Sequence, residues 1–193
     1  ETPLLCTATV TDPYIESIQA TANQQRLFLQ TSPEYAMKRL IASGIGDCFQ
    51  LCKAFRDDEQ GHLHNNEFTM LEWYRLGFDH HQLMDEMDDL LQLVLNCPKA
   101  SRLSYQQLFK KHLGINPHDT SITQLENIAK KHDAYDSIHQ ACNTIDDWLM
   151  LLLSELIEPK LGFDAPCMIH DYPKSQAALA KIAGGKAQRF EVY

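Results

Sequence analysis

The stretch Phe55-Arg56-Asp57-Asp58-Glu59, and after a short polar gap His64-Asn65-Asn66-Glu67-Phe68-Thr69-Met70-Leu71-Glu72-Trp73-Tyr74, is where charge, aromatic rings and amides concentrate. Residues 47–56 and 67–76 are both strand-rich, which predicts an antiparallel hairpin joined by the polar loop 57–66. In the second run Phe68, Met70, Glu72 and Tyr74 alternate with Thr69, Leu71, Trp73 and Arg75. A strand's period of two therefore sets a carboxylate and a phenol among apolar neighbours on one face, and makes Trp73 a core residue on the other. An Arg leaving one strand, opposite a His, an Asn and a Phe entering the next, can clamp phosphate oxygens while the ring stacks on a base. The plainer alternative is a hairpin with a solvated charged tip and a packed Phe, and the residues by themselves leave both readings open.

Working outward, Arg26-Leu27-Phe28-Leu29-Gln30-Thr31 predicts a strand, and Ser32-Pro33-Glu34 supplies a cap, a Pro at the first helical position and an acidic first turn for a helix to about Ser43. Gly44-Ile45-Gly46-Asp47 makes a turn. Downstream, Leu83, Met87, Leu90, Leu91, Val94 and Leu95 recur at helical spacing over 80–95, with Asp85, Asp88, Asp89 and Gln92 opposite them as a solvated acidic face. Asp79, His80, His81 and Asp85 offer metal-ligand chemistry at the start of that helix, but the expectation is that no metal is held within this chain. Residues 104–112, 121–131 and 143–157 predict further helices, the last ended by Pro159. After it come a strand over 165–171, a short helix over 175–182 and a strand over 186–193. The fold class is α+β, with a mostly antiparallel sheet flanked by helices.

Composition bounds the function. Of 193 residues 44% are hydrophobic and 22% charged, enough for a real core. A net charge of −9 weighs against a surface built throughout to hold nucleic acid. Neither G-x-G-x-x-G nor G-x-x-x-x-G-K-[ST] occurs, so any nucleotide is held without the common glycine-rich loops. The longest apolar run, Trp148 to Leu153, is far short of the roughly 20 residues that span a bilayer, so no membrane partner is expected. Six cysteines without a C-x-x-C pair suit reduced thiols and a cytoplasmic setting, with Cys48 and Cys52 on one strand face. The opening Glu1-Thr2-Pro3 and the closing Phe190-Glu191-Val192-Tyr193 read as cuts within a longer protein, incomplete at both ends.

The string from Phe55 to Tyr74 resembles motif 2 of the class II aminoacyl-tRNA synthetases, in particular the lysine-specific subgroup, where an F-R-x-E strand, an H-N-x-E-F-T loop exit and an M-x-E-x-Y strand recur. Glu1-Thr2-Pro3 is similar to the end of motif 1, and Leu156-Ile157-Glu158-Pro159-Lys160-Leu161 is also lysyl-synthetase-like. Within the family, Thr31-Ser32-Pro33-Glu34-Tyr35, Phe49-Gln50-Leu51-Cys52, Thr69-Met70-Leu71-Glu72-Trp73-Tyr74 and Tyr172-Pro173-Lys174-Ser175-Gln176-Ala177 are nearer to the lysyl-tRNA synthetase paralogues that attach (R)-β-lysine to a lysine of elongation factor P. The resemblance covers essentially the whole of 1–193 and implies a partial catalytic domain, from the end of motif 1 through motif 2, with motif 3 absent.

It further implies an ATP-dependent ligase that activates (R)-β-lysine, or lysine, as an adenylate and transfers it to elongation factor P, acting as a homodimer with tRNA an unlikely partner. The alternatives it leaves are a lysyl-tRNA synthetase and a non-catalytic synthetase-like regulator. By resemblance Arg56 is the catalytic residue, bridging the substrate carboxylate and the α-phosphate of ATP. Glu34 would accept the ammonium near the reacting end, in a pocket lined by Ser32 and Pro33, while Glu72 and Tyr74 would hold the distal ammonium. Asp57, His64, Asn65 and Phe68 would complete the ATP site, Phe68 by stacking on adenine. The family's Glu two residues after the Arg is here Asp58, one methylene shorter, so either Asp58 or Glu59 reaches the adenine. Magnesium ligands are expected beyond Tyr193.

Overall fold

The structure, a computed structural model, describes residues 1–8, 15–57, 64–132 and 142–193, and the chain divides into two units, Glu1–Gly77 and Phe78–Tyr193. In the first unit three short strands, β1 (Leu5–Cys6), β2 (Gln19–Ala22) and β3 (Gln25–Leu29), form an antiparallel sheet in the order β1-β3-β2. The helix α1 (Glu34–Ala42) is capped by Pro33, one position later than the expected Ser32, and buries Met37. Next come β4 (Cys48–Phe55) and β5 (Glu67–Tyr74), antiparallel in unbroken register from Cys48 opposite Tyr74 to Phe55 opposite Glu67. Two buried glutamines tie these pieces together. Gln30 donates through Nε2 to the Lys53 carbonyl at 2.8 Å while its own carbonyl accepts from Phe55 N–H, and Gln50 exchanges two hydrogen bonds with Thr2.

The register fixes which face of the hairpin is covered. Ala54 and Gln50 are buried on the face shared with Phe68, Met70, Glu72 and Tyr74. Cys48 and Cys52 lie on that face as free thiols, as their spacing implies. Trp73 is not a core residue: it is half-buried on the other face, opposite Phe49, which is 75% exposed, and beside the exposed Leu51 and Leu71.

In the second unit α2 (His80–Leu95) is started by a reciprocal Asp79–Gln82 cap and ended by Asn96 in a left-handed conformation. The strands β6 (Ser101–Ser104), β7 (Cys167–Pro173), β8 (Ile182–Ala183) and β9 (Lys186–Val192) make a sheet in the order β6-β7-β9-β8, with β6 parallel to β7 and the other pairings antiparallel. The helices α3 (Tyr105–Leu113), α4 (Ile122–Lys131) and α5 (Ile145–Leu152) bury Tyr105, Phe109, Leu125 and Trp148 in one core with Ile169 and Tyr172 of β7. After α5 the chain takes one π-helical turn, Leu153–Ile157, and one 3-10 turn, Glu158–Lys160, so that Pro159 sits inside the last turn. Gly162 is required there: its φ is +75°, and a Cβ would meet the Tyr193 backbone at 2.7 Å.

Several expectations are corrected. Among the described residues the strands form three sheets, one of them with a parallel pair, instead of one mostly antiparallel sheet. The helix expected over 175–182 is a single 3-10 turn, Lys174–Gln176. Gly184 and Gly185, both at positive φ, close a tight hairpin that draws Ile182–Ala183 into β8. The acidic stripe of α2 is not a uniformly solvated face. Asp88 is 2% exposed, accepts the Ala100 N–H at 2.8 Å and lies 3.9 Å from Arg102, which also pairs with Asp85. The covered side of α2 runs through Met84, Met87, Asp88 and Leu91, leaving Leu93, Val94 and Leu95 exposed. Among the described residues no helix is long and apolar enough to cross a membrane.

Candidate functional site

The covered face of the hairpin and the start of α1 converge within the first unit. Glu34 follows the buried Pro33 at the head of α1, where its N–H lies 3.4 Å from the Ser32 hydroxyl. One turn on, Lys38 reaches back to Glu34 with Nζ 2.5 Å from Oε1. From β5 the alternation brings up Glu72 and Tyr74 side by side, and the Tyr74 hydroxyl donates to Glu72 Oε2 at 3.0 Å.

These groups sense one another. Burial raises the Glu72 carboxyl above its ordinary value of 4.5, and the charge of Glu34 raises it further, while Tyr74, Lys38 and the Ser32 hydroxyl hold it back. Burial and the neighbouring Glu72 push the Tyr74 phenol far up, so it stays a donor. Two carboxylates, a phenol and a hydroxyl thus share a half-covered hollow with one lysine. Burying a carboxylate beside another is unfavourable unless cations complete it, and one lysine neutralises only one of two charges. Such an arrangement has the chemistry to accept an ammonium group.

At the far end of the same face lie the groups expected to hold a nucleotide. The Arg56 guanidinium sits over the Phe68 ring, 5.2 Å from its centroid, and the ring is half-buried. Asn66 fixes the backbone there: its side chain donates to the Arg56 carbonyl at 2.7 Å, and Arg56 N–H donates to the Asn66 carbonyl at 2.9 Å. Asp57 is exposed and pairs through its backbone with Glu16, and His64 and Asn65 are exposed at the entry to β5. Asp58 and Glu59 lie outside the described residues.

Of the expected residues, Ser32, Glu34, Glu72 and Tyr74 are brought together, Pro33 is buried just before Glu34, and Arg56 and Phe68 make one contact. Lys38 and Asn66 carried no expectation. The i,i+4 spacing from Glu34 could have found Lys38, whereas Asn66 acts through a backbone contact that no spacing signals. Ser175 and Gln176 serve the second unit's framework, both donating to Asp146 in the first turn of α5 at 3.0 and 2.9 Å.

Residues 1–191 match the family model described as tRNA synthetases class II (D, K and N). The chain is 50% identical over 202 residues to an elongation factor P–(R)-β-lysine ligase of Vibrio parahaemolyticus, covering 100% of this chain and 62% of the relative. A ligase of the same name from Vibrio vulnificus is 48% identical with the same coverage, and one from Sodalis glossinidius 46% identical over 205 residues. The chain thus spans 62% of the length of these curated relatives.

Proposed function

The chain belongs to the class II (D, K and N) family of tRNA synthetases, and from that premise we propose that it is the part of an ATP-dependent ligase that recognises (R)-β-lysine for transfer to a lysine of elongation factor P. The observation that carries the reading is the pairing of Glu72 with Tyr74 beside Glu34, a hollow with more carboxylate than its own lysine neutralises. A lysine-like substrate carries two ammonium groups, and Glu34 and Glu72 offer one carboxylate to each. The names of relatives at 46–50% identity, all of them ligases acting with elongation factor P and (R)-β-lysine, support the substrate and the acceptor.

Arg56 and Phe68 suit ATP by chemistry: a guanidinium for phosphate oxygens beside an aromatic face for a base. When bound, ATP supplies the leaving group that activates the substrate carboxylate. Arg56 would draw carboxylate and phosphate oxygens to one cation as negative charge builds between them, and Asn66 keeps the Arg56 backbone in place for it. Asp57, His64 and Asn65 would complete that site from the exposed rim, with Asp58 or Glu59 beyond it, and magnesium would serve the phosphates. Ser32 and Pro33 set the start of α1 so that Glu34 faces the hollow. The reading includes a cytoplasmic homodimer and a catalytic domain continued by the family's motif 3.

The test gives the full-length protein ATP and labelled β-lysine, with elongation factor P in one reaction and lysine tRNA in another. Label on the protein is expected. Label on tRNA alone would replace the reading with a lysyl-tRNA synthetase, and label on neither with no ATP-pyrophosphate exchange would point to a non-catalytic relative.

A further inference from the structure

Within the second unit, α2 and β7 bring three imidazoles together. His80 and His81 open α2, and His170 precedes a bulge at which the pairing of β7 with β9 slips between His170 and Tyr172. One ring nitrogen from each histidine lies within 4.8 Å of the other two. The ring centroids are 4.1 Å apart for His80 and His81, and 5.1 Å for His81 and His170.

The bulge residue is Asp171, at a φ of +59°, a left-handed backbone that few non-glycine residues adopt. Ordinary alternation would send the side chains of His170 and Asp171 to opposite faces, yet both meet the same cluster. Asp171 Oδ1 is 3.1 Å from His80 Nε2, and Oδ2 is 3.2 Å from His170 Nδ1. An ionised carboxylate only accepts, so in the neutral ring that a metal requires the His80 proton sits on Nε2 and the lone pair on Nδ1. That Nδ1 is buried and has no hydrogen-bond partner among the described residues, and the His80 side chain is only 6% exposed. A buried, unpartnered nitrogen in a ring packed beside two further imidazoles is costly if the cluster serves packing alone.

We propose that His80, His81 and His170 form a site for a divalent transition-metal ion of the zinc type, with Asp171 orienting His80 from behind. Imidazole donors suit zinc, copper and nickel more than magnesium or calcium, and a carboxylate holding the far nitrogen of a ligating histidine is the usual support of such a site. Tetrahedral zinc places its nitrogen ligands about 3.3 Å apart, given bonds of about 2.0–2.1 Å. The rings reach that spacing by closing inward, and His81, which is exposed, has room to turn. The positive end of α2 opposes a cation, but Asp171 and the capping carboxylate of Asp79 offset it. Asp79 and Asp85 are not donors to the ion: Asp79 accepts the Gln82 N–H and Asp85 pairs with Arg102. A bound ion would latch the first turn of α2 to the β7 bulge, with a fourth position left to water.

The experiment titrates the untagged chain with cobalt(II), read by its visible spectrum, and with zinc by calorimetry. One equivalent should bind in tetrahedral geometry, and zinc should displace cobalt and raise the melting temperature. His81→Ala and His170→Ala should each weaken binding a hundredfold or more, Asp171→Asn by about 10–100-fold, and His112→Ala not at all. His81 is exposed, so its variant keeps the fold even if that of His170 does not. No binding by the unaltered chain overturns the proposal, as does equal binding by His81→Ala, which would place the ion on other histidines or thiols.

Discussion

Two covered carboxylates, one in each unit, are handled in opposite ways. Asp88 of α2 is almost wholly buried, yet its Oδ1 takes the Ala100 N–H and its other oxygen faces Arg102. Glu72 of β5 is only half-buried, yet its partner is the uncharged Tyr74, its neighbour is a second carboxylate, and its proton is held above the ordinary range. The fold completes the first charge and leaves the second incomplete. Depth of burial is therefore the wrong guide to function. What marks a site is charge that the protein's own groups do not balance.

The largest expected effect tests the completed side. Asp88→Ala strips the buried Ala100 N–H of its acceptor and Arg102 of one of its two carboxylates. It should cost the second unit about 2–4 kcal/mol. Asp85→Ala, which removes only an exposed partner of the same arginine, should cost under about 1 kcal/mol. Urea unfolding followed by Trp148 fluorescence in a Trp73→Phe background reads this unit alone. Equal losses for the two variants would mean that Asp88 is not the satisfied group described.

Glu72→Gln tests the incomplete side. It should weaken binding of a lysine-like ligand by about 2 kcal/mol, some thirtyfold in Kd, the loss of one partly screened charge-assisted bond. ATP binding should be nearly unchanged. The ligand-free stability of the first unit should stay within about 0.5 kcal/mol or rise, because the native protein gains nothing from an ionised Glu72 without its cation. A stability loss as large as that of Asp88→Ala would break the contrast between the two.

Much of this was legible from local pattern. The hairpin register follows from alternation, so the shared face of Phe68, Met70, Glu72 and Tyr74 could be read directly. Helix starts were legible where a cap and its partner stand three residues apart, as Ser104 and Gln107 do. What escaped was decided at a distance. Asp88 looks like any acidic residue on a helix face until Ala100 and Arg102 fold against it. Strand β6 exists only because Ser101–Ser104 pairs with Cys167–His170, far along the chain, and four residues alone carry no such signal. Likewise His170 and Asp171 join His80 only through a bulge in β7, so no spacing in the chain could announce that cluster.

The smallest expected effect is a pH dependence set by Glu72. In the ligand-free protein burial raises Glu72 above 4.5. Its contribution to folding is then full below the unfolded value and lost as the pH rises through the folded one. An ammonium ligand reverses this by favouring the ionised form, so binding draws the Glu72 proton off into solution. Affinity for a lysine-like ligand should therefore be full above the raised Glu72 value and should fall as the pH drops through it, by up to about tenfold per unit. The amine of the ligand stays protonated throughout that range, so the slope belongs to the protein. Calorimetry in buffers of different ionisation enthalpy should detect the released proton, and Glu72→Gln should abolish both the slope and the release. A slope that survives in Glu72→Gln would show that the released proton does not come from Glu72.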